Sequence, residues 1–127
     1  MSDIEQNKQT VVDFLWSSFV GGEPEQAVAR HVGDRYIQHN PLVPDGTESF
    51  IGFVHWLRGQ NPELQFEIKH VLADGDLVVT HSHMSGSPSE RGQAVADLFR
   101  LENGKLVEHW DVIQGVPAES KNDNSMF

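Results

Sequence analysis

The spacing of apolar residues changes once along this chain, and that change limits the folds open to it. Up to Asn61-Pro62 they recur at helical intervals; beyond it they alternate with polar residues, as in strands with one buried face. Helices first and consecutive strands afterwards leave no interleaved βαβ units, so the chain reads as α+β. Val11, Val12, Leu15, Trp16 and Phe19 form the apolar stripe of a first helix, which Ser2 and Glu5 cap and Gly21-Gly22 end. Pro24 opens a second, short helix with Ala27, Val28, His31 and Val32 on its inner side. Tyr36-Ile37-Gln38 is extended, and Asn40-Pro41 breaks it. A third helix starts at Thr47 as its cap and carries Phe50, Ile51, Val54, Trp56 and Leu57.

The strand half begins with Phe66, Ile68, His70 and Leu72 on one face. Asp74-Gly75 turns the chain into Leu77–Met84, and a Gly- and Pro-bearing loop leads to Ala94–Leu101 and Lys105–Ile113, which flank Asn103-Gly104. From about Val116 the chain reads as a tail. The expected architecture is a cone-shaped half-barrel: N-terminal helices packed on a curved, mainly antiparallel sheet, enclosing one cavity.

Size and charge narrow the partners. The 127 residues fit one domain spanning 1–127, and a domain of this size removes about 65–70% of its unfolded surface from water without staples. There is no cysteine, so disulfides, thiolate metal sites and a cysteine nucleophile are excluded. Met1–Lys8 is acidic and polar, lacking the basic start and apolar middle of a signal peptide, and a cytoplasmic protein is expected. Nine Lys and Arg against nineteen Asp and Glu leave a formal charge of −10. That charge opposes nucleic-acid phosphates and anionic membrane surfaces alike. A small neutral ligand, or another protein, is the expected partner. No cofactor or resident metal is expected.

Chemistry should lie where polar residues interrupt faces that ought to be dry. In the third of the four strands, Val95, Asp97, Phe99 and Leu101 share one side. In the last strand Val107, His109, Asp111 and Ile113 share a side, with Leu106, Glu108, Trp110 and Val112 on the other. A two-residue Asn103-Gly104 turn would pair Leu101 with Leu106 and separate the two aspartates. A type I turn with Gly104 left-handed pairs Leu101 with Lys105, sets Asp97 opposite His109, and puts Asp111 on the same face. The second register is the expected one, because it gathers ionisable groups in an apolar setting, as acid–base catalysis requires. One of the two aspartates should then have a raised pKa.

His81 and His83 are placed on the cavity side of their strand, with Tyr36, His39, Phe99 and Trp56 as further ligand contacts. Each has a plainer reading: structural pairing for the aspartates, solvent for the histidines, core packing for the aromatics. His81-x-His83 also matches half of a zinc or iron site, with Asp97 or His109 completing it.

Tyr36-Ile37-Gln38-His39-Asn40-Pro41, Asp97-Leu98-Phe99-Arg100, Gly104-Lys105 and Glu108-His109-Trp110-Asp111-Val112 resemble the SnoaL-like polyketide cyclases, of the nuclear transport factor 2-like superfamily. Asn7-Lys8 and Asn122-x-Asn124-x-Met126-Phe127 resemble one bacterial branch of that family. The resemblance implies a cone-shaped barrel, a dimer, and cofactor-free intramolecular aldol condensation with Asp111 as the acid–base group. The chain departs from the cyclases at Asp97, where they carry a histidine. Facing carboxylates also resemble the epoxide hydrolases of this fold, but Arg100 faces away from the position their arginine takes.

The expected function is therefore a cofactor-free acid–base enzyme on a small carbonyl compound, of aldol, cyclase or isomerase type. Asp111 serves as base, Asp97 tunes it, and His81, His109 or Tyr36 stabilises the enolate. A non-catalytic ligand-binding domain and a His/Asp metal enzyme are the alternatives. A homodimer is expected through the outer sheet face that carries Leu98, Leu106, Trp110 and Val112.

Overall fold

A computed structural model describes residues 3–127. Helix α1 (Ile4–Leu15) continues into a π-helical turn, Trp16–Val20, and is followed by α2 (Pro24–His31), β1 (Val32–Gln38) and α3 (Thr47–Gln60). Four strands complete the chain: β2 (Gln65–Asp74), β3 (Leu77–Ser85), β4 (Gln93–Glu102) and β5 (Lys105–Gly115). With β1 they form one five-stranded mixed sheet in the order β1-β5-β4-β3-β2, in which, among the described residues, only β1 runs parallel to its neighbour. The sheet is not closed, and the fold is α+β as expected. Among the described residues no helix is long and apolar enough to cross a membrane.

The helix starts differ in detail from the sequence reading. Ser2 lies outside the described residues; the described cap of α1 is Asp3, whose side chain accepts from the Gln6 amide at 3.0 Å. Thr47 is the first helical residue of α3 rather than its cap. The chain enters from Gly46 at φ 98°, a conformation costly for any side chain.

Helix faces and the inner sheet face meet in an aromatic core. Phe14 is fully buried, stacks on Phe50 at 4.9 Å, and meets Phe99 edge-on at 5.9 Å. Tyr36 joins them 6.4 Å from Phe14. Each such pair contributes about 0.5–1.5 kcal/mol beyond the area it buries. Trp16 and Trp56 are not part of this core: they are 56% and 60% exposed. On α3 the inward positions are Phe50, Phe53, Val54 and Leu57, which turns Trp56 to solvent.

Two bulges decide which residues face inward. In β2 the pairing slips between Ile68 and His70, so Phe66, Ile68, Val71 and Ala73 pack against the core. His70 and Leu72, which strict alternation groups with Phe66 and Ile68, are exposed. In β5 the pairing slips at Val107: Leu101 pairs with Leu106, whereas Arg100 pairs with Glu108. Asn103 and Gly104, at φ 52° and 78°, form the two-residue turn, so the expected Leu101–Lys105 pairing is wrong. The extra residue reverses the phase of the strand beyond it. Asp97 therefore faces Asp111 directly rather than His109. Leu106, expected on the outer face, is fully buried.

Candidate active site

An apolar cavity of about 60 Å³ lies between the helices and the inner sheet face. Phe19, Phe50, Phe53 and Phe66 supply much of its helix-side and β2 wall, and Met84, Val95 and Ile113 continue it. Its polar wall is built from Tyr36, Gln38, Asn40, Asp97, His109 and Asp111. Period-two geometry explains the grouping. Tyr36, Gln38 and Asn40 alternate along and just beyond β1, Asp97 and Phe99 alternate on β4, and past the Val107 bulge His109, Asp111 and Ile113 alternate on β5.

His109 is buried and lies at the centre. Its Nε2 is 2.8 Å from Asp97 Oδ1 and 4.0 Å from Asp111 Oδ2. Its Nδ1 is 2.7 Å from Gln38 Oε1. The ring lies parallel to that of Tyr36 at 6.3 Å and tilts against Phe99 at 4.8 Å. Asn40 Nδ2 donates to both oxygens of Asp111, each at 3.0 Å. The loop after β1 fixes Asn40 in turn: Gln38 N–H donates to Asp45 Oδ1 at 2.8 Å, and Gly46 N–H donates to the Tyr36 carbonyl at 3.1 Å.

Burial pushes the Asp97 carboxyl above its ordinary value. The hydrogen bond and charge of His109 act against that shift, and the nearby Asp111 charge adds to it. Burial also pushes the Tyr36 hydroxyl well above its usual range, with Asp97 and Asp111 reinforcing the shift. This wall thus favours neutral Tyr36, and a proton on Asp97 costs less than it would in water.

Asp97, His109, Asp111, Tyr36 and Phe99 are brought together as the sequence reading expected. His81, His83, His39 and Trp56 are not. On β3 the buried positions are Val78, Thr80 and Ser82, so His81 and His83 occupy the outer face. There His81 stacks near His70, and His83 Nε2 lies 2.7 Å from the Arg91 carbonyl oxygen. Phe127 packs against both rings. A metal set joining His81 and His83 to Asp97 or His109 is therefore not assembled. His39, one residue out of phase with Gln38 and Asn40, lies on the outer face, stacked on Trp110 at 4.7 Å and paired with Glu108 at 2.6 Å.

The donor atoms of Asp97, His109 and Asp111 all lie within 4.8 Å of one another. In this structure Asp97 Oδ1 and His109 Nε2 are hydrogen-bonded to each other at 2.8 Å. Gln38 and Asn40 were missed as site residues. The available signal was their alternation with Tyr36 just before a proline.

A family model described as SnoaL-like polyketide cyclase matches residues 9–121. The chain belongs to the SnoaL-like family. Among solved structures it is similar to a candidate polyketide cyclase from Acidithiobacillus ferrooxidans, with a TM-score of 0.71 at 21% identity over 89% of this chain and 91% of that one. A candidate polyketide cyclase from Bacillus cereus gives 0.73 at 20% identity, over 85% and 74%. A candidate SnoaL-like polyketide cyclase from Jannaschia sp. CCS1 gives 0.71 at 20%, over 89% and 91%. At these identities the likeness is one of fold. Comparison with curated proteins gives no match.

Proposed function

We propose that this SnoaL-like protein is an acid–base enzyme acting on a small carbonyl compound, as an aldol-type cyclase or an isomerase. The observation that carries this reading is the Asp97–His109–Asp111 cluster in the wall of an apolar cavity, with His109 between two carboxylates. Asp111 accepts hydrogen bonds through both oxygens and serves as base. It takes a proton from the carbon beside the carbonyl, and the C–H electron pair becomes the enol double bond. The carbonyl π pair moves to oxygen, which takes the proton held between Asp97 and His109. In an aldol step the enol carbon attacks a second carbonyl carbon, whose π pair moves to its oxygen and takes the proton from Asp111. The enol O–H returns its proton to the Asp97–His109 pair as the first carbonyl reforms. In an isomerisation the proton on Asp111 returns to a different carbon of the enol system, and the enol O–H gives its proton back to the Asp97–His109 pair. No step calls for a cofactor, because the carbonyl is the electron sink.

The cavity, about 60 Å³, is well below the roughly 300–1,000 Å³ of sites for drug-sized ligands. It supports a compact substrate. The assembly we propose is a homodimer through the outer sheet face, where Leu98 and Trp110 are half-buried and Val112 is 69% exposed.

The test is proton–deuterium exchange at the α-carbons of cyclohexanone and methyl acetoacetate, followed by NMR in D₂O. The wild-type protein should accelerate exchange above buffer for at least one probe. Binding of the probes without any acceleration would overturn the enzymatic reading in favour of a ligand-binding domain.

A further inference from the structure

The acid–base reading leaves open why a histidine tied to a carboxylate should have a proton to give, and the answer lies on β1. We infer that Gln38 is a positioning residue: it pins a hydrogen on Nδ1 of His109, so that the His109–Asp97 contact holds one transferable proton and acts as the acid of the site. This rests on the reading above and deepens it.

The end of a glutamine side chain carries an oxygen and a nitrogen that are easily exchanged, but a backbone N–H can only donate. The Asn40 N–H meets the Gln38 side chain at 3.1 Å, and the atom it meets is therefore the oxygen. That oxygen also lies 2.7 Å from His109 Nδ1. An amide oxygen only accepts, so Nδ1 must carry a hydrogen. With that position filled, Nε2 has two states: a lone pair in the neutral ring, or a second hydrogen in the imidazolium.

Nε2 faces Asp97 Oδ1 at 2.8 Å. A lone pair against an ionised carboxylate would be repulsive, so the contact holds one proton, on the carboxyl or on the ring. Either a carboxylic acid or an imidazolium gives up a proton readily. In the opposite tautomer, with Nδ1 bare, the proton in the contact would be the last one on a neutral imidazole. A neutral imidazole gives up that proton far less readily than a carboxylic acid or an imidazolium does. The side-chain oxygen of Gln38 thus decides whether the pair is an acid or a spectator.

The chain is arranged to hold that oxygen still. Gln38 is paired with His109 in the parallel register, and its own N–H is held by Asp45. Asn40 precedes Pro41, which restricts it to extended conformations. Asn40 orients the Gln38 amide through its backbone and Asp111 through its side chain, so one residue aligns both the acid and the base. Several groups face the pair. Asp111 lies at 4.0 Å, the Tyr36 ring at 6.3 Å, and Thr80 stands opposite Asp97 on β3. The helices turn Leu15, Phe19, Phe50 and Phe53 toward the cavity.

The test is NMR of the imidazole nitrogens in histidine-labelled protein, with the His109 signals assigned by their loss in His109→Gln. At neutral pH Nδ1 should carry hydrogen. A bare Nδ1 in the wild type overturns the inference whatever the variants do. Gln38→Met keeps the length of the side chain and removes the acceptor. It should shift His109 toward the Nε2–H form, alter the pH–rate profile, and slow α-deuterium exchange about tenfold or more, part of the ~10²–10⁴-fold that a positioned proton donor supplies. Gln38→Glu keeps an accepting oxygen and should retain the Nδ1 hydrogen. An unchanged tautomer and rate in Gln38→Met would refute the role of Gln38, and if that variant does not fold, the wild-type and Gln38→Glu tautomers decide. A pinned Nδ1 hydrogen in a protein that binds the ketone probes without accelerating their exchange would overturn the acid–base reading while leaving the pinning intact.

Discussion

Replacing Leu106 by alanine tests the strand geometry on which the site depends. Leu106 and Asp111 are five positions apart on β5, so strict alternation would put them on opposite faces. Both lie on the inner side here because Val107 is an extra residue between them. Leu106 is fully buried, and truncating a leucine at such a site costs about 2–5 kcal/mol, from lost transfer energy and the cavity left behind. A loss of about 3 kcal/mol is expected here, equivalent to a fall in Tm of about 10 °C for a domain of this length. Urea unfolding followed by circular dichroism would measure it. Leu42→Ala serves as control: Leu42, in the loop after β1, is 89% exposed, and its truncation should change stability by no more than about 0.5 kcal/mol. A cost below about 1 kcal/mol for Leu106→Ala would mean that Leu106 faces outward and the strand has no bulge. With the two-residue Asn103-Gly104 turn kept, Asp111 could not then share a face with Asp97.

Other expectations are more local. His31 and Arg30 on α2 meet Asp13 on α1 at 2.5 and 3.0 Å, and the His31 hydrogen bond is the largest influence holding the Asp13 carboxyl below its ordinary 3.8. Its contribution is present above pH 3.8 and is lost as pH falls through the lowered folded value. Asp13→Asn should therefore destabilise at neutral pH, by about 0.5 kcal/mol because the pair is solvent-screened, and the difference should vanish in acid. His81→Ala and His83→Ala should leave α-exchange rates unchanged, since both rings lie on the outer face; a large loss in either would contradict that placement. Light scattering should report a dimer that Trp110→Asp splits, and a wild-type monomer at micromolar concentration would refute the proposed interface.

The layout of elements was legible because it follows from period alone: helical spacing to Asn61, alternation after it, and Gly, Pro and Asn at the breaks. The site was legible in part for the same reason. Asp97 and Phe99 share a face by simple alternation, as do His109, Asp111 and Ile113. What alternation cannot show is a residue that does not count. The bulges in β2 and at Val107 each reverse the phase of a strand without any Gly or Pro to mark them, so alternation alone groups His70 and Leu72 with Phe66 and Ile68 and puts Leu106 on the outer face. At β4–β5 two errors cancelled. The turn was assigned one residue out, and the unseen bulge restored the common face of Asp97 and Asp111. On β3 the choice of face followed the chemistry of His81 and His83, while the plainer residues Val78, Thr80 and Ser82 are the ones that pack. Gln38 and Asn40 carry no charge and drew no notice, although their alternation with Tyr36 placed them on the cavity wall.

Asp111→Asn in the α-deuterium exchange experiment bears most directly on the proposed chemistry. The substitution keeps the shape of the side chain and removes the group that takes the proton from carbon. Exchange into cyclohexanone or methyl acetoacetate should fall by about 10²–10⁴-fold relative to wild type, as expected for loss of a positioned general base, with the unfolding midpoint little changed. Exchange at the wild-type rate in a folded Asp111→Asn protein would contradict the assignment of Asp111 as the base.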